Sequence, residues 1–246
     1  FKDYPMEPAV LRFFEDDNDD DDDCRESKCF VEFLPSELSM GQYSNSLTTI
    51  TFYEGDYRKI RKKLEQRVKD VLKENAWLGG RLAVKPGEEV LKLWYDTECK
   101  DVPPNIFTSY EPGMIPLKRS TKYAQYKDYL ADYSIVVPIA QKLVGTDHPV
   151  WKVSIVPDVV EHNTRFAIIV SQSHMIGDAH TYYKIFHMLF SDNSDSGKSR
   201  IINTAPVEKM NPVRRADVKY HIEKHMGVQE ASYIRKTNPN MVSPKR

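Results

Sequence analysis

A histidine and an aspartate four residues apart form the side-chain pair in this sequence that is best suited to acid–base chemistry. They are His174 and Asp178, in the stretch Ser-His-Met-Ile-Gly-Asp-Ala-His. An imidazole with an ordinary pKa of about 6.5 can accept a proton near neutral pH. Aspartate is also a favoured helix N-cap, because it complements the helix dipole. The spacing therefore allows a general base at His174 and leaves Asp178 open to a purely structural role.

A metal site is the competing chemistry for the same stretch. The nitrogen and oxygen ligands that it offers are those of His174, Asp178, His180 and His187. On a helix that begins at Asp178, the His180 side chain points away from Asp178. Neither a His-Glu-x-x-His pattern nor a Cys/His zinc pattern is present. We therefore predict no metal at this position.

The order strand, turn, helix is predicted around the pair. Phe166 to Val170 is apolar without alternation, which is typical of a central strand covered on both faces. Trp151 to Ile155 alternates apolar and polar residues, which predicts a neighbouring strand with one exposed face. After Gly177, one helical face carries Tyr182, Ile185, Phe186, Leu189 and Phe190. This order places His174 near the carboxyl end of the central strand, facing a cleft.

The first half of the chain predicts further elements of an α/β lobe. Strands are expected at 29–34 and 46–53, and a hairpin at 81–84 and 90–95. Between them, an apolar stripe at helical spacing comprises Tyr57, Ile60, Leu64, Val68 and Val71. The segment from Asp101 to Tyr133 has little periodicity, so we predict irregular structure there.

Composition restricts the class of protein. The chain has 246 residues, 40% of them hydrophobic, and a formal net charge of −1. Such a charge gives no global attraction to nucleic acid, and no apolar run is long enough to span a membrane. The three cysteines, Cys24, Cys29 and Cys99, lack metal or disulfide spacing. We expect a soluble protein with reduced thiols in an intracellular reducing compartment, of which the cytoplasm is the favoured one.

Both ends of the chain differ in composition from the middle. Glu15 to Asp23 has eight acids in nine positions, which predicts a solvated loop. It lacks the spaced Gly and closing Glu of a calcium-binding loop. From Val207 to Arg246, nine basic residues stand against four acidic ones. We therefore divide the chain into an N-terminal segment (1–28), a lobe (29–200) and a basic extended tail (201–246).

Three short motifs carry a resemblance to a known superfamily. They are Leu38-Ser-Met-Gly-Gln42, Trp77-Leu-Gly-Gly-Arg-Leu82 and His174-Met-Ile-Gly-Asp178. In this order they resemble landmarks of the acyl-CoA-dependent acyltransferases, which include plant BAHD acyltransferases, chloramphenicol acetyltransferase and peptide-synthetase condensation domains. The resemblance implies an α/β fold of the α+β sandwich type. It would be a chloramphenicol-acetyltransferase-like N-terminal lobe, in which helices pack on a mixed sheet.

The resemblance also implies roles for the two residues. His174 would act as general base on the acceptor's hydroxyl or amine, which then attacks the acyl thioester carbonyl. Asp178 would hold the loop by pairing with an arginine, for which Arg81 and Arg165 are candidates. An acyl-CoA or acyl-carrier thioester would be the cosubstrate, with no permanently bound cofactor. Covalent catalysis is not indicated, since no Gly-x-Ser-x-Gly elbow is present.

The sequence departs from the pattern of the superfamily in two respects. Ala179 stands where many members have Gly, and Ser173 where condensation domains have a first His, so the motif is closest to the BAHD-like form. Members also usually have a second lobe with an Asp-Phe-Gly-Trp-Gly landmark, which this sequence lacks. We expect a second lobe or partner chain to complete the site. The alternative is a non-catalytic acyltransferase-like module that serves as a subunit of a larger complex.

Overall fold

The computed structural model describes residues 28–33, 38, 45–84, 87, 90–97, 102–190 and 201–210. The acidic run at 15–23, most of the motif at 38–42 and the tail beyond 210 lie outside the described residues.

The described residues form seven β-strands and three α-helices. The strands are β1 (Lys28–Glu32), β2 (Leu47–Glu54), β3 (Arg81–Ala83), β4 (Lys92–Asp96), β5 (Phe107–Ser109), β6 (Trp151–Pro157) and β7 (Arg165–Gln172). The helices are α1 (Tyr57–Glu74), α2 (Tyr123–Asp132) and α3 (Ala179–Leu189). None of the helices among these residues is long and apolar enough to cross a lipid bilayer.

A four-stranded sheet in the order β2-β7-β6-β5 is the frame of the lobe. β7 pairs antiparallel with both β2 and β6, whereas β5 pairs parallel with β6. The sheet is therefore mixed, with β7 in an interior position. A second sheet, in the order β1-β4-β3, contains the predicted hairpin as β3 and β4. The predicted α/β fold class, a mixed sheet with helices packed on it, is confirmed.

Helix α1 forms where the sequence places an apolar stripe behind a capping residue. The Asp56 side chain accepts a hydrogen bond of 3.0 Å from the backbone N–H of Arg58. Leu64, Val68 and Val71 are fully buried in the main core, together with residues of β6, β7 and α3. Burial of such a side chain contributes about 1.5–3 kcal/mol of hydrophobic free energy. The predicted helix is confirmed, and it covers one face of the four-stranded sheet.

The opposite face of this sheet is covered by a second, smaller core. Ile115 and Leu117 precede α2, Leu130 lies within it and Ile135 follows it, and all four are buried against β6 and β7. The prediction of irregular structure from Asp101 to Tyr133 is therefore wrong in two places, since β5 and α2 lie there. α2 exposes most of its polar positions, and its buried apolar contact comes mainly from Leu130, so no helical stripe is visible in the sequence.

The second core also corrects the expectation for β6. All seven residues of β6 are buried, including Lys152 and Ser154, for which a solvated face was predicted. The Lys152 ammonium donates a 2.6 Å hydrogen bond to the carbonyl oxygen of Ser134, just after α2. Burial lowers the pKa of Lys152 below its ordinary value of 10.5. The alternation of apolar and polar residues thus separated the two faces of β6 correctly, but the polar face is buried as well as the apolar one.

Residues 201–210, which we assigned to the tail, pack against the lobe, and we call them the strap. The buried side chain of Asn75, just after α1, donates to the Glu208 carbonyl at 3.0 Å and accepts from the Met210 N–H at 2.7 Å. The indole N–H of Trp77 donates to the Met210 carbonyl at 3.1 Å. The strap is therefore held mainly by its backbone groups, at the end of α1.

Replacement of Lys152 by Met tests the buried ammonium. Between the lowered pKa and 10.5, the unfolded state binds more protons than the folded state, so wild-type stability rises with pH across that window. We expect Lys152→Met to lose this rise and to stay within about 1 kcal/mol of wild type at pH 7. Urea unfolding at several pH values measures both effects. Lys142→Met, at an exposed lysine, is the control, and an unchanged pH slope in Lys152→Met would contradict the burial.

Candidate active site

His174 lies on a tight turn immediately after the interior strand β7. The backbone N–H of Ser173 donates to the Val150 carbonyl at 2.8 Å, so pairing with the β6 side of the sheet continues one residue beyond the strand. The chain then turns, with hydrogen bonds from Ile176 N–H to the Ser173 carbonyl (3.2 Å) and from Met175 N–H to Ser173 Oγ (3.3 Å). His174 is half-buried between the buried residues Ser173 and Met175. Its imidazole is thus at the surface of a firmly held turn.

Asp178 caps the helix that follows this turn. Its Oδ1 accepts a 2.9 Å hydrogen bond from the backbone N–H of Thr181, and its own backbone is extended. This contact satisfies one of the free N–H groups in the first turn of α3, and the carboxylate opposes the positive end of the helix dipole. The side chain of Asp178 serves α3, and the residue is exposed. His174 and Asp178 therefore lie on one turn, with separate contacts.

The two candidate arginines have other contacts. Arg165 is ion-paired with Glu161 at 3.1 Å, at the start of β7. Because an eight-residue strand spans about 25 Å, Arg165 is far from Asp178, and the suggestion that they pair is wrong. Arg81 donates to the carbonyls of Gly79 (2.8 Å) and Gly80 (2.9 Å), which fixes the turn before β3.

Gly177 lies where the turn comes close to the side chains of Thr181 and Gln172. A Cβ atom at this position would lie 2.6 Å from Thr181 Cγ2 and 2.9 Å from Gln172 Nε2. Such distances are far below van der Waals contact, so no larger residue fits without movement of the turn. The contact pins the turn between the end of β7 and the first turn of α3.

Tyr182 anchors α3 to the sheet. Its hydroxyl donates to the Val170 carbonyl on β7 at 3.0 Å and lies 2.7 Å from Thr49 Oγ1 on β2. The ring is 3% exposed, and burial raises the pKa of the phenol to about 12. One side chain thus links α3 to two strands, close to the His174 turn.

The predicted order of strand, turn and helix and the helix cap at Asp178 are observed, but sequence reasoning missed the contacts of Gly177, Tyr182 and Thr181. Tyr182 was assigned to an apolar helix face, and its hydrogen bonds have no signature in the local pattern. Gly177 could have been noticed, since a glycine just before a helix cap often marks a close backbone approach.

The site can therefore supply an imidazole for proton transfer, held by a capped helix and a buried strand. Among the described residues, no three His, Cys, Asp or Glu side chains come together in a group that could hold a metal ion. Of the buried polar groups near this end of the sheet, the Ser171 hydroxyl is paired, whereas the Gln172 side-chain amide has no hydrogen-bond partner among the described residues. Ser171 Oγ accepts from the Val137 N–H at 2.9 Å and lies 2.8 Å from Thr48 Oγ1.

Comparison with known proteins gave no match to a family model and no match to a curated protein. Solved structures gave partial matches, of which we name three. The trichothecene 15-O-acetyltransferase TRI3 from Fusarium sporotrichioides is 10% identical with a TM-score of 0.48, over 76% of this chain and 40% of that one. F. graminearum TRI101, crystallised with coenzyme A and deoxynivalenol, is 14% identical with a TM-score of 0.45, over 65% and 37%.

The third is the wax ester synthase/diacylglycerol acyltransferase from Marinobacter aquaeolei VT8. It is 13% identical with a TM-score of 0.44, over 81% of this chain and 47% of that one. Two of the three are named as acyltransferases. The chain spans less than half the length of each of these structures.

Replacement of Gly177 by Ala tests how tightly the turn is held. The added methyl group would overlap Thr181 and Gln172, so we expect the free energy of unfolding to fall by about 1–3 kcal/mol. Denaturant unfolding measures the change. Gly79→Ala is the control, because its Cβ would lie 3.4 Å from the nearest atom, an ordinary contact. Equal stability of Gly177→Ala and wild type would show that the turn is loose.

Replacement of Tyr182 by Phe tests the anchor of α3. Loss of the hydroxyl removes two hydrogen bonds, so we expect a fall of about 1–2 kcal/mol in unfolding free energy at pH 7. Because the pKa of Tyr182 is raised to about 12, the folded state holds this proton more tightly, and wild-type stability falls as pH rises from 10 to 12. The Phe variant should lack that part of the fall. Unfolding curves at pH 7 and above pH 10 check both changes in unfolding free energy. An equal loss of stability above pH 10 in wild type and Tyr182→Phe would contradict the raised pKa of Tyr182.

Proposed function

We propose that this chain is the N-terminal lobe of an acyltransferase, in which His174 is the general base. The enzyme moves an acyl group from a coenzyme A or carrier thioester to an alcohol or amine. The observation that carries the proposal is the position of His174, a half-buried imidazole on a pinned turn at the carboxyl end of an interior strand. The motif His174-Met-Ile-Gly-Asp178 and its resemblance to the acyl-CoA-dependent acyltransferases give the reaction class.

The reaction needs one proton to be taken up and later returned. The imidazole of His174 removes the proton from the acceptor's O–H or N–H as the acceptor's oxygen or nitrogen attacks the thioester carbonyl carbon. The C–O or C–N bond forms, and the C–S bond then breaks as the carbonyl is restored. The imidazolium returns its proton to the departing sulfur. The products are an ester or amide and the free thiol, with no redox partner and no permanently bound cofactor.

Asp178 has a structural role in this proposal. It caps α3 through the Thr181 N–H at 2.9 Å and so fixes the start of the helix behind the turn. Since N-cap removal costs about 1 kcal/mol of stability, the aspartate serves the shape of the turn and leaves proton transfer to His174. An arginine partner for Asp178 is not part of the proposal.

We further propose that a second lobe, from this protein or from a partner chain, completes the cleft and holds most of the acyl donor. The intermediate burial of His174 is consistent with this arrangement, because part of the residue is exposed in the lobe alone. Water must be kept from the thioester during transfer, and closure of a cleft by a second lobe would do this. The acceptor is a small-molecule alcohol or amine.

Substitution of His174 by Ala in the full-length protein tests the general base. Release of free thiol from acetyl-CoA and octanoyl-CoA, with a panel of alcohols and amines, measures acyl transfer. We expect kcat to fall roughly 100-fold or more, because a positioned base contributes at least that factor. The thermal stability should change little, since the ring is only half-buried.

His162→Ala is the matched control, because His162 lies in the turn before β7, at the opposite end of the strand. It should retain wild-type turnover. If His174→Ala turns over as fast as wild type, His174 is not the general base. A full-length protein that neither binds nor turns over any thioester would favour the non-catalytic module.

A further inference from the structure

The C-terminal end of α3 is capped by two side chains that lie far from the His174 turn. The last carbonyl groups of a helix have no partners within the helix and must find them elsewhere. The Phe186 carbonyl accepts from the Phe190 N–H at 3.0 Å. The next three carbonyl groups along the helix accept hydrogen bonds from Arg67, which belongs to α1, and from Asn203, which belongs to the strap.

Arg67 contributes the buried contact. Its Nε donates to the Met188 carbonyl at 2.6 Å, and the residue is 7% exposed. Its Nη2 atom is buried without a hydrogen-bond partner among the described residues. Burial lowers the pKa of Arg67, and the charge of Asp70 partly opposes this. The cation lies where the partial negative charge of the α3 dipole is concentrated, which offsets part of its desolvation.

Asn203 contributes the other two contacts from the strap. Its side-chain amide donates to the His187 carbonyl at 2.6 Å, and its backbone N–H donates to the Leu189 carbonyl at 2.9 Å. The strap is held in turn by Asn75 through Glu208 and Met210. All four carbonyls at this end of α3 are thus satisfied, three of them by groups outside the helix.

We propose that Arg67 and Asn203 are positioning residues for His174, which they hold in place through α3. The inference rests on the proposed role of His174. α3 is an 11-residue helix, about 16 Å long, whose first turn is in close contact with Gly177. Because the N-cap Asp178 follows His174 by only four residues and a Cβ at Gly177 would have no room beside Thr181, a shift of α3 along its axis is expected to move the turn that carries His174. Contacts at the far end of the helix therefore set the position of the imidazole.

Asn203→Ala is the first test, because Asn203 is only half-buried and its loss should not unfold the lobe. The NMR signals of the His174 imidazole, assigned by comparison with His174→Gln, report its environment without any substrate. We expect these signals and their pH titration to change in Asn203→Ala. Amide hydrogen exchange at the end of α3 should rise about 10-fold, as expected when a hydrogen bond there is lost. Acyl transfer from acetyl-CoA should fall about 10-fold in kcat with KM unchanged.

Arg67 gives a second, graded test. Arg67→Met removes the cation and its hydrogen bond, whereas Arg67→Lys keeps a positive charge at the end of α3. We expect the His174 signals of the Lys variant to lie between those of wild type and Met. Arg61→Met and Asn163→Ala are the matched controls, since both residues are exposed and lie away from the end of α3. Both controls should leave the His174 signals unchanged.

Three results would overturn the proposal. Faster exchange in α3 with an unchanged His174 titration would show that the two ends of the helix are not coupled. Unchanged amide hydrogen exchange in Asn203→Ala would show that the Asn203 contacts do not stabilise the end of α3. Equal changes of the His174 signals in Asn163→Ala would show that the effect of Asn203→Ala is not specific. Failure of the general-base role is distinguishable, because His174→Ala would then leave turnover intact whatever the NMR signals do.

Discussion

The close contact between the turn at Gly177 and the first turn of α3 is the constraint on which the site depends. A Cβ at 177 would overlap Thr181 and Gln172, so the turn and the first turn of the helix are packed with no room for a larger residue. Asp178 then fixes where the helix begins, and Tyr182 fixes where it lies on the sheet. These contacts therefore determine the position of the half-buried His174.

The burial of the four-stranded sheet on both faces gives this turn a firm base. β7 is paired on both edges, by β2 and β6, and its two faces lie in the two cores. Local opening near the end of such a strand costs a large share of the global stability. Hydroxyl groups at this end, those of Ser171 and Thr48, are satisfied by hydrogen bonds on the face that α2 covers. The site is thus built at the end of a strand that is paired on both edges and buried on both faces.

Period and composition were sufficient to predict the elements that carry His174. The unbroken apolar run of β7, the stripe of α1 and the strand-turn-helix order at His174 each reflect local burial, which the sequence records directly. The errors arose where burial is imposed from a distance. Lys152 looked solvated because its cover, α2 and the segment after it, has no readable stripe of its own. The error over Arg165 is of another kind, because the strand predicted at 166–170 already separates Arg165 from Asp178 by most of its length.

The central claim is that the His174 imidazole itself takes the proton from the acceptor. The most direct test is to add free imidazole to the His174→Ala protein, with the full-length chain and acetyl-CoA as donor. If the ring is the base, acyl transfer should rise in proportion to the concentration of unprotonated imidazole, and wild-type protein should not respond. If a correctly folded His174→Ala protein shows no such rescue at any pH, His174 does not act as the base and the account is wrong.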